Sequence, residues 1–244
     1  MSNSLLEIKE FRHILENSGY AVFFGGAGVS TDSGIPDFRG PNGLYKNKNS
    51  SAEYLLSREC LKGEPELFFK FYREKMLYPN AIPNKTHTGL AELEAKGILK
   101  AVITQNIDGL HQKAGSQKVI ELHGSTNRHY CMRCGKLHDK ASVIESENIP
   151  RCACGGIIRP DVTIYGEPLD NKAFFAAQNE IEKADVLIVG GSSLTVQPAA
   201  SLVGNFCGNH LVIINYTQTP YDSMANCIIR DSISNVFSQI IGEL

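Results

Sequence analysis

No sign of charge dominates this chain: 24 Lys and Arg stand against 26 Asp and Glu in 244 residues, a formal net charge of -2. So balanced a chain lacks the basic surface that nucleic acid or an anionic membrane would select. Long apolar runs are missing as well. None approaches the ~20 residues that span a bilayer, and the amino terminus reads as an amphipathic helix rather than a signal peptide. A cytosolic location is therefore expected. No internal repeat or low-complexity tract is present, which excludes solenoids and compositionally disordered tracts. What is there is an ordinary globular composition, 42% hydrophobic and 20% charged, at a length suited to one large α/β domain or a domain carrying an inserted lobe.

Leu5, Leu6, Ile8, Phe11, Ile14 and Leu15 recur at helical spacing behind a Ser4/Glu7 capping box, predicting a first helix that ends near Gly19. Six short apolar runs follow: 21–24, 101–103, 119–120, 186–189, 211–214 and 227–229. Runs apolar on both faces predict a buried parallel sheet. Helical stretches from Leu90 to Ala95, from Asp170 to Lys183 with Asp170 as N-cap, and from Pro198 to Phe206 lie between them. The fold expected is α/β, a doubly wound, Rossmann-like parallel sheet formed by residues 1–40, 88–126 and 160–244. Residues 41–87 (a helical insertion) and 127–159 (the cysteine-rich segment, without a strand signal) are expected to pack together as a smaller lobe.

In such a sheet ligands bind beyond the carboxyl ends of the strands, so the residues that stop each run should face one crevice. Gly25-Gly26-Ala27-Gly28-Val29-Ser30 follows the first run and would open a helix, its small residues letting backbone amides approach a pyrophosphate. A dehydrogenase would continue into a second strand ending in an acid about 20 residues on. This chain instead enters the loop Asp32 to Pro41, whose Phe38 and Arg39 could close over a nucleotide; a surface ion pair is the plainer role for Arg39. Thr104-Gln105-Asn106-Ile107-Asp108 ends the second run with amides and a carboxylate suited to a carboxamide and ribose hydroxyls, though Asp108 could equally cap a helix. His123 sits directly behind Val119–Leu122, where an imidazole can serve as a base.

Four of the seven cysteines crowd together as Cys131-x-x-Cys134, seventeen residues, then Cys152-x-Cys154. Four thiolates at this spacing predict a tetrahedral, closed and therefore structural zinc site. His129 and His138 lie nearby, with surface roles expected for both. Cys60, Cys207 and Cys227 have no assigned role.

Taken together these motifs resemble the sirtuins, the NAD-dependent protein deacylases. The resemblance rests on 26–30, Gly34-Ile35-Pro36-Asp37-Phe38-Arg39, 104–108, Glu121-Leu122-His123-Gly124, the cysteine quartet, Gly191-Ser192-Ser193-Leu194 and Pro198-Ala199-Ala200. It implies that Gly26, Ala27, Gly28, Thr31, Phe38 and Arg39 form the NAD loop, and that Gln105, Asn106, Ile107 and Asp108 hold the nicotinamide and ribose. Gly191, Ser192, Ser193, Asn215, Asp231 and Ser232 would surround the adenosine half. The acyl-lysine peptide would add as a strand along Val162, Thr163, Ile164, Tyr165 and Gly166, by main-chain bonds that read little sequence. The implied reaction transfers the acyl group from lysine to ADP-ribose as nicotinamide leaves, with Asn106 assisting and His123 as general base. Neutral acyl groups are expected, because the stretch matched to the Tyr-x-x-Arg of desuccinylating sirtuins, Phe69-Lys70-Phe71-Tyr72, carries no guanidinium. Two other classes remain open: a nicotinamide dehydrogenase, and a non-catalytic zinc-stabilised module that binds acyl-peptide without releasing nicotinamide.

Overall fold

The structure, a computed structural model, describes residues 3–37 and 52–241. Helix α1 (Asn3–Glu16) leads into β1 (Ala21–Gly25), followed by two single 3-10 turns, Ala27–Val29 and Thr31–Ser33. Four helices come next: α2 (Ala52–Leu55), α3 (Arg58–Gly63), α4 (Pro65–Lys75) and α5 (Lys85–Ala95). Then β2 (Leu99–Thr104), α6 (Leu110–Ala114) and β3 (Val119–Glu121) precede β4 (Gly124–Cys131), β5 (Leu137–His138), α7 (Ala141–Ile144) and β6 (Ile158–Val162). The remaining elements are α8 (Asn171–Lys183), β7 (Val186–Gly190), a 3-10 segment (Ala199–Asn205), β8 (His210–Ile214), β9 (Cys227–Ile229) and α9 (Ile233–Ile240).

The six apolar runs are the six strands of one parallel sheet, ordered β3-β2-β1-β7-β8-β9. Both of its faces are covered, which is why the runs show no polar alternation. Ala21 and Phe23 of β1 join Phe11, Leu90 and Phe237 of the α1, α5 and α9 side, while Val22 and Phe24 join Ile181 and Leu202 on the other. The strand order reverses between β1 and β7. A crevice opens beyond the carboxyl ends of the strands at such a switch point.

A second, antiparallel sheet, β5-β4-β6, packs against the helical insertion, with Phe68, Phe69 and Tyr72 of α4 meeting Cys131, Val143 and Ile158. The fold is thus the doubly wound α/β sheet with a smaller lobe. No helix among the described residues is long and apolar enough to cross a membrane.

Local differences have local causes. Helix α1 spans Asn3–Glu16, so Ser4 lies within it. Asp170 caps α8 as expected, accepting from the Ala173 amide at 2.8 Å. The segment after Pro198 is a 3-10 segment, Ala199–Asn205, not an α-helix. Strands β4 and β6 occupy part of the stretch without a strand signal. The pattern of β4, Gly-Ser-Thr-Asn-Arg-His-Tyr-Cys, is polar although Ser125, Thr126 and His129 are buried and only Asn127 and Arg128 are exposed.

Candidate active site

The glycine loop does not open a helix. Its first residues form 3-10 turns, and the loop is instead locked to the end of β7: the Gly26 amide donates to the Gly190 carbonyl (3.1 Å) and the Gly28 amide to the Gly191 carbonyl (2.8 Å). A Cβ at Gly28 would stand 2.8 Å from Gly191 Cα, and one at Gly26 the same distance from Ser192 Cβ. Glycine is required at both positions by this close approach across the switch point.

Beyond the strand ends lies a cavity of about 1080 Å3. Its wall contains every described residue of the expected cofactor and peptide sets, from Gly26, Ala27, Gly28 and Thr31 to Asp231 and Ser232. Phe38 and Arg39 lie outside the described residues, so the roles expected of them are not placed. Gln105 donates through Nε2 to Ser192 Oγ (3.1 Å), tying β2 to β7 across the crevice. Buried Ser30, which the sequence reading did not single out as a site residue, links two that it did. Asn106 Nδ2 donates to Ser30 Oγ (3.0 Å), and Ser30 Oγ donates to Asp108 Oδ2 (2.7 Å). The other Asp108 oxygen accepts from the Leu110 amide (2.8 Å), so this carboxylate is a cap and a cavity residue at once. Burial lifts its pKa above the ordinary value, against the pull of the Leu110 and Ser30 hydrogen bonds.

His123 Nδ1 lies 2.9 Å from the Gln105 carbonyl. A carbonyl oxygen only accepts, so Nδ1 carries the hydrogen and Nε2 is left as the basic atom of the neutral ring. Burial lowers the pKa below 6.5, and the bond to Gln105 offsets part of that effect. The ring is therefore an unprotonated base at neutral pH.

The segment expected to pair with the peptide is tied down through its backbone. The Thr163 amide donates to the His123 carbonyl (2.9 Å), the Tyr165 amide to the Leu56 carbonyl (3.0 Å), and the Tyr165 carbonyl accepts from Arg58 (2.9 Å). Arg159, 4% exposed, fixes the bend below it through Glu167 (2.5 Å) and the Val162 carbonyl (2.6 Å). The Ile164 backbone is taken by Glu167, its amide donating to Glu167 Oε2 (3.3 Å) and its carbonyl accepting from the Glu167 amide (3.0 Å).

A match to a family profile now decides among the readings of this cavity: the Sir2 family profile fits residues 26–198. The chain belongs to the Sir2 family. An NAD-dependent protein deacetylase of Clostridium acetobutylicum is 52% identical to it over 240 residues, 96% of this chain and 98% of that one. A Sir2 structure with a deacetylated p53 peptide and 3'-O-acetyl-ADP-ribose has a TM-score of 0.90 at 42% identity, covering 97% of this chain and 98% of the other. A third, Sir2Tm bound to a propionylated peptide, has a TM-score of 0.86 at 40% identity, with coverage of 97% and 98%.

In this Sir2 chain the four expected cysteines converge, their sulfurs all within 4.8 Å of one another. Cys131 and Cys154 Sγ are 3.5 Å apart and Cys134 and Cys152 Sγ 3.8 Å. Four zinc–sulfur bonds of about 2.3 Å in a tetrahedron put the sulfurs about 3.8 Å apart, so the quartet fits zinc. Neither neighbouring histidine is needed. His129 is fully buried rather than at the surface, its Nε2 3.1 Å from the Tyr72 hydroxyl, because β4 turns it towards α4.

The register of the helical insertion also differs from that expected. Helix α4 turns Phe68, Tyr72 and Lys75 towards the cavity, joined by Met76 just past its end. Phe69 is packed in the lobe core, and Arg73 leaves the site altogether, donating to the Val143 carbonyl (3.1 Å) and Ser146 Oγ (2.7 Å). Lys75 is the cation that the cavity wall contains among the described residues, and it is exposed.

Proposed function

We propose that this Sir2 protein is an NAD-dependent protein lysine deacylase that moves the acyl group from lysine to ADP-ribose and releases nicotinamide, with His123 as general base. The observation that carries the reading is the His123 ring, neutral with Nε2 basic, in the same cavity wall as the Gln105–Asp108 amides and carboxylate. NAD supplies a ribose carbon with nicotinamide as leaving group. Gln105, Ile107 and Asp108 hold the carboxamide and ribose, and Asn106, oriented by Ser30, assists before the base is needed. His123 Nε2 then takes a proton from a ribose hydroxyl. Gly26, Ala27, Gly28 and Thr31, with Phe38 and Arg39, form the pyrophosphate loop, and Gly191, Ser192, Ser193, Asn215, Asp231 and Ser232 the adenosine side.

The substrate is an acylated lysine in a protein or peptide, added as a strand along 162–166, and neither nucleic acid nor membrane takes part. The acyl group is neutral: Phe68, Met76, Ile107 and Ile164 give an apolar wall, and Lys75, exposed to water, is too well screened to hold a carboxylate there strongly. Cys131, Cys134, Cys152 and Cys154 hold one structural zinc. We further assign 1–40, 88–126 and 160–244 to the NAD-binding domain, 41–87 and 127–159 to the small lobe, and the protein to the cytoplasm, where thiolates stay reduced. The test is nicotinamide release over a panel of acylated peptides. A rise at the reduced-cofactor absorbance band would instead mark a dehydrogenase, and peptide binding without nicotinamide release a binding module.

A further inference from the structure

The glycine loop is held from two directions. Towards β7 it is tied through the Gly26 and Gly28 amides. Behind it, outside the cavity wall, stands Asn84 at the start of α5. Asn84 Nδ2 donates to the Val29 carbonyl (2.7 Å) and to Ser33 Oγ (3.0 Å). Val29 and Ser33 bracket Ser30, Thr31 and Asp32, the three residues of this turn that face the cavity. One side-chain amide thus staples both ends of a turn whose middle forms part of the wall. The Ser33 amide donates to the Ser30 carbonyl (3.0 Å), so a shift of Ser33 carries Ser30 with it, and Ser30 Oγ is the atom that joins Asn106 to Asp108.

The staple has narrow chemical requirements. Asn84 Oδ1 accepts from the Thr86 amide (2.9 Å) as the N-cap of α5. The side chain must therefore accept at one atom and donate twice from another, which asparagine does and aspartate, an acceptor only, cannot. Serine and aspartate cap a helix as well as asparagine, so capping alone does not ask for this residue. The anchor itself is firm, because Leu90 and Leu93 seat α5 in the core against the sheet. We propose that Asn84 is a positioning residue for the dinucleotide: without touching it, Asn84 holds the 30–32 turn in the shape that receives it, from a helix fixed in the core. The inference rests on the glycine loop receiving NAD, as proposed above.

The test combines kinetics, melting and calorimetry on the full chain. Asn84→Ser and Asn84→Asp keep the cap oxygen and lose the donors. Both should raise KM for NAD about tenfold, with kcat within about threefold and KM for an acetyl-lysine peptide within about twofold of the parent. The Tm should stay within about 2 °C of the parent, because the cap is kept. Ser33→Ala, which removes one recipient and leaves α5 untouched, should raise KM for NAD about threefold alone and add nothing in the Asn84→Ser background. An unchanged KM for NAD in both Asn84 variants, with or without a fall in Tm, marks Asn84 as a cap alone and overturns the inference. A Ser33→Ala effect of full size in Asn84→Ser protein overturns it as well. Calorimetric titration with ADP-ribose keeps it separate from the deacylase reading. Binding that weakens about tenfold from the parent to Asn84→Ser supports the positioning role even in a protein that releases no nicotinamide. Equal binding to both sinks this inference alone, whereas a parent that binds no ADP-ribose removes the cofactor reading and the inference with it.

Discussion

At the scale of the residue, His123 and Asp108 show how one crevice moves two titratable groups in opposite directions. Burial acts on both, lowering the imidazole and raising the carboxyl, because each is pushed towards its neutral form. For His123 as the proposed base this is useful chemistry, since only the neutral ring can accept a proton. Deacylation should therefore fall on the acid side with an apparent pKa below 6.5, as protonation of Nε2 removes the acceptor. A pH profile of kcat/KM whose acid limb lies clearly above 6.5 would contradict the assignment. His123→Ala should cost a factor of ~10² to 10⁴ in deacylation while leaving zinc content and most NAD affinity intact. Exchange of labelled nicotinamide should survive better than deacylation in that variant, because the base acts after nicotinamide has begun to leave. In Asp108→Asn the two rates should fall together. Normal deacylation by folded His123→Ala protein would put the base elsewhere.

At the scale of the element, α4 and α5 each do more than pack. The α4 face of Phe68, Tyr72 and Lys75, with Met76 just past its end, forms cavity wall, and it predicts that an acetyl-lysine peptide is turned over with higher kcat/KM than its succinyl counterpart; the reverse ranking would refute a neutral acyl site. Helix α5 begins at a capping box in which Asn84 accepts from the Thr86 amide (2.9 Å) and the Asn84 amide donates to His87 Nδ1 (3.2 Å). Asn84 also reaches the glycine loop, donating to the Val29 carbonyl (2.7 Å) and Ser33 Oγ (3.0 Å). Behind it His87 meets His111 of α6, with ring centroids 4.8 Å apart and both side chains buried. Burial holds His87 down to about 4 and His111 to about 3, the latter helped by its neighbour. The unfolded chain takes up protons near 6.5 that the folded chain refuses. Stability from this pair is thus complete above about pH 6.5 and is lost as pH falls towards 4 and then 3, by at most about 1.4 kcal/mol per pH unit for each ring. Urea midpoints that stay level between pH 7 and pH 5 would show that the pair does not titrate with unfolding.

At the scale of the whole molecule, two cores on the two faces of the sheet and a third in the small lobe meet around one cavity. The third core includes Cys131 and Cys152 themselves, so the zinc quartet is part of the packing that holds α4 and β6 against the crevice. Removing a ligand should consequently act through stability and not through chemistry at the metal, which four thiolates leave no open position to perform. Cys152→Ala should lose zinc, lower the Tm and lose activity together. Metal analysis finding no zinc in active, freshly purified parent protein would end this idea.

Sequence alone determined the six strands, because a strand buried on both faces must be apolar throughout, and 21–24 or 186–189 can be read no other way once small residues stop them. It determined the zinc quartet too, since thiolates bind metal wherever spacing lets four converge. The place of His123 and of 105–108 in the cavity wall was legible because in a doubly wound sheet the residue that ends a strand faces the crevice. Tertiary structure decided what depends on a partner distant in sequence. The polar pattern of β4 carries no strand period, and only its pairing with β6 makes it one. Whether Phe69, Tyr72 or Lys75 faces the cavity is a matter of how α4 rolls against the small-lobe core, and a helix apolar on more than one side does not fix its own roll. His129 looked like a surface residue until β4 and α4 enclosed it, and Ser30 gained its place between Asn106 and Asp108 only when β1 and β2 became neighbours. Local patterns state which backbone forms; contacts between segments set which side chains meet, because burial and hydrogen bonding are properties of the assembled surfaces and not of the chain between them.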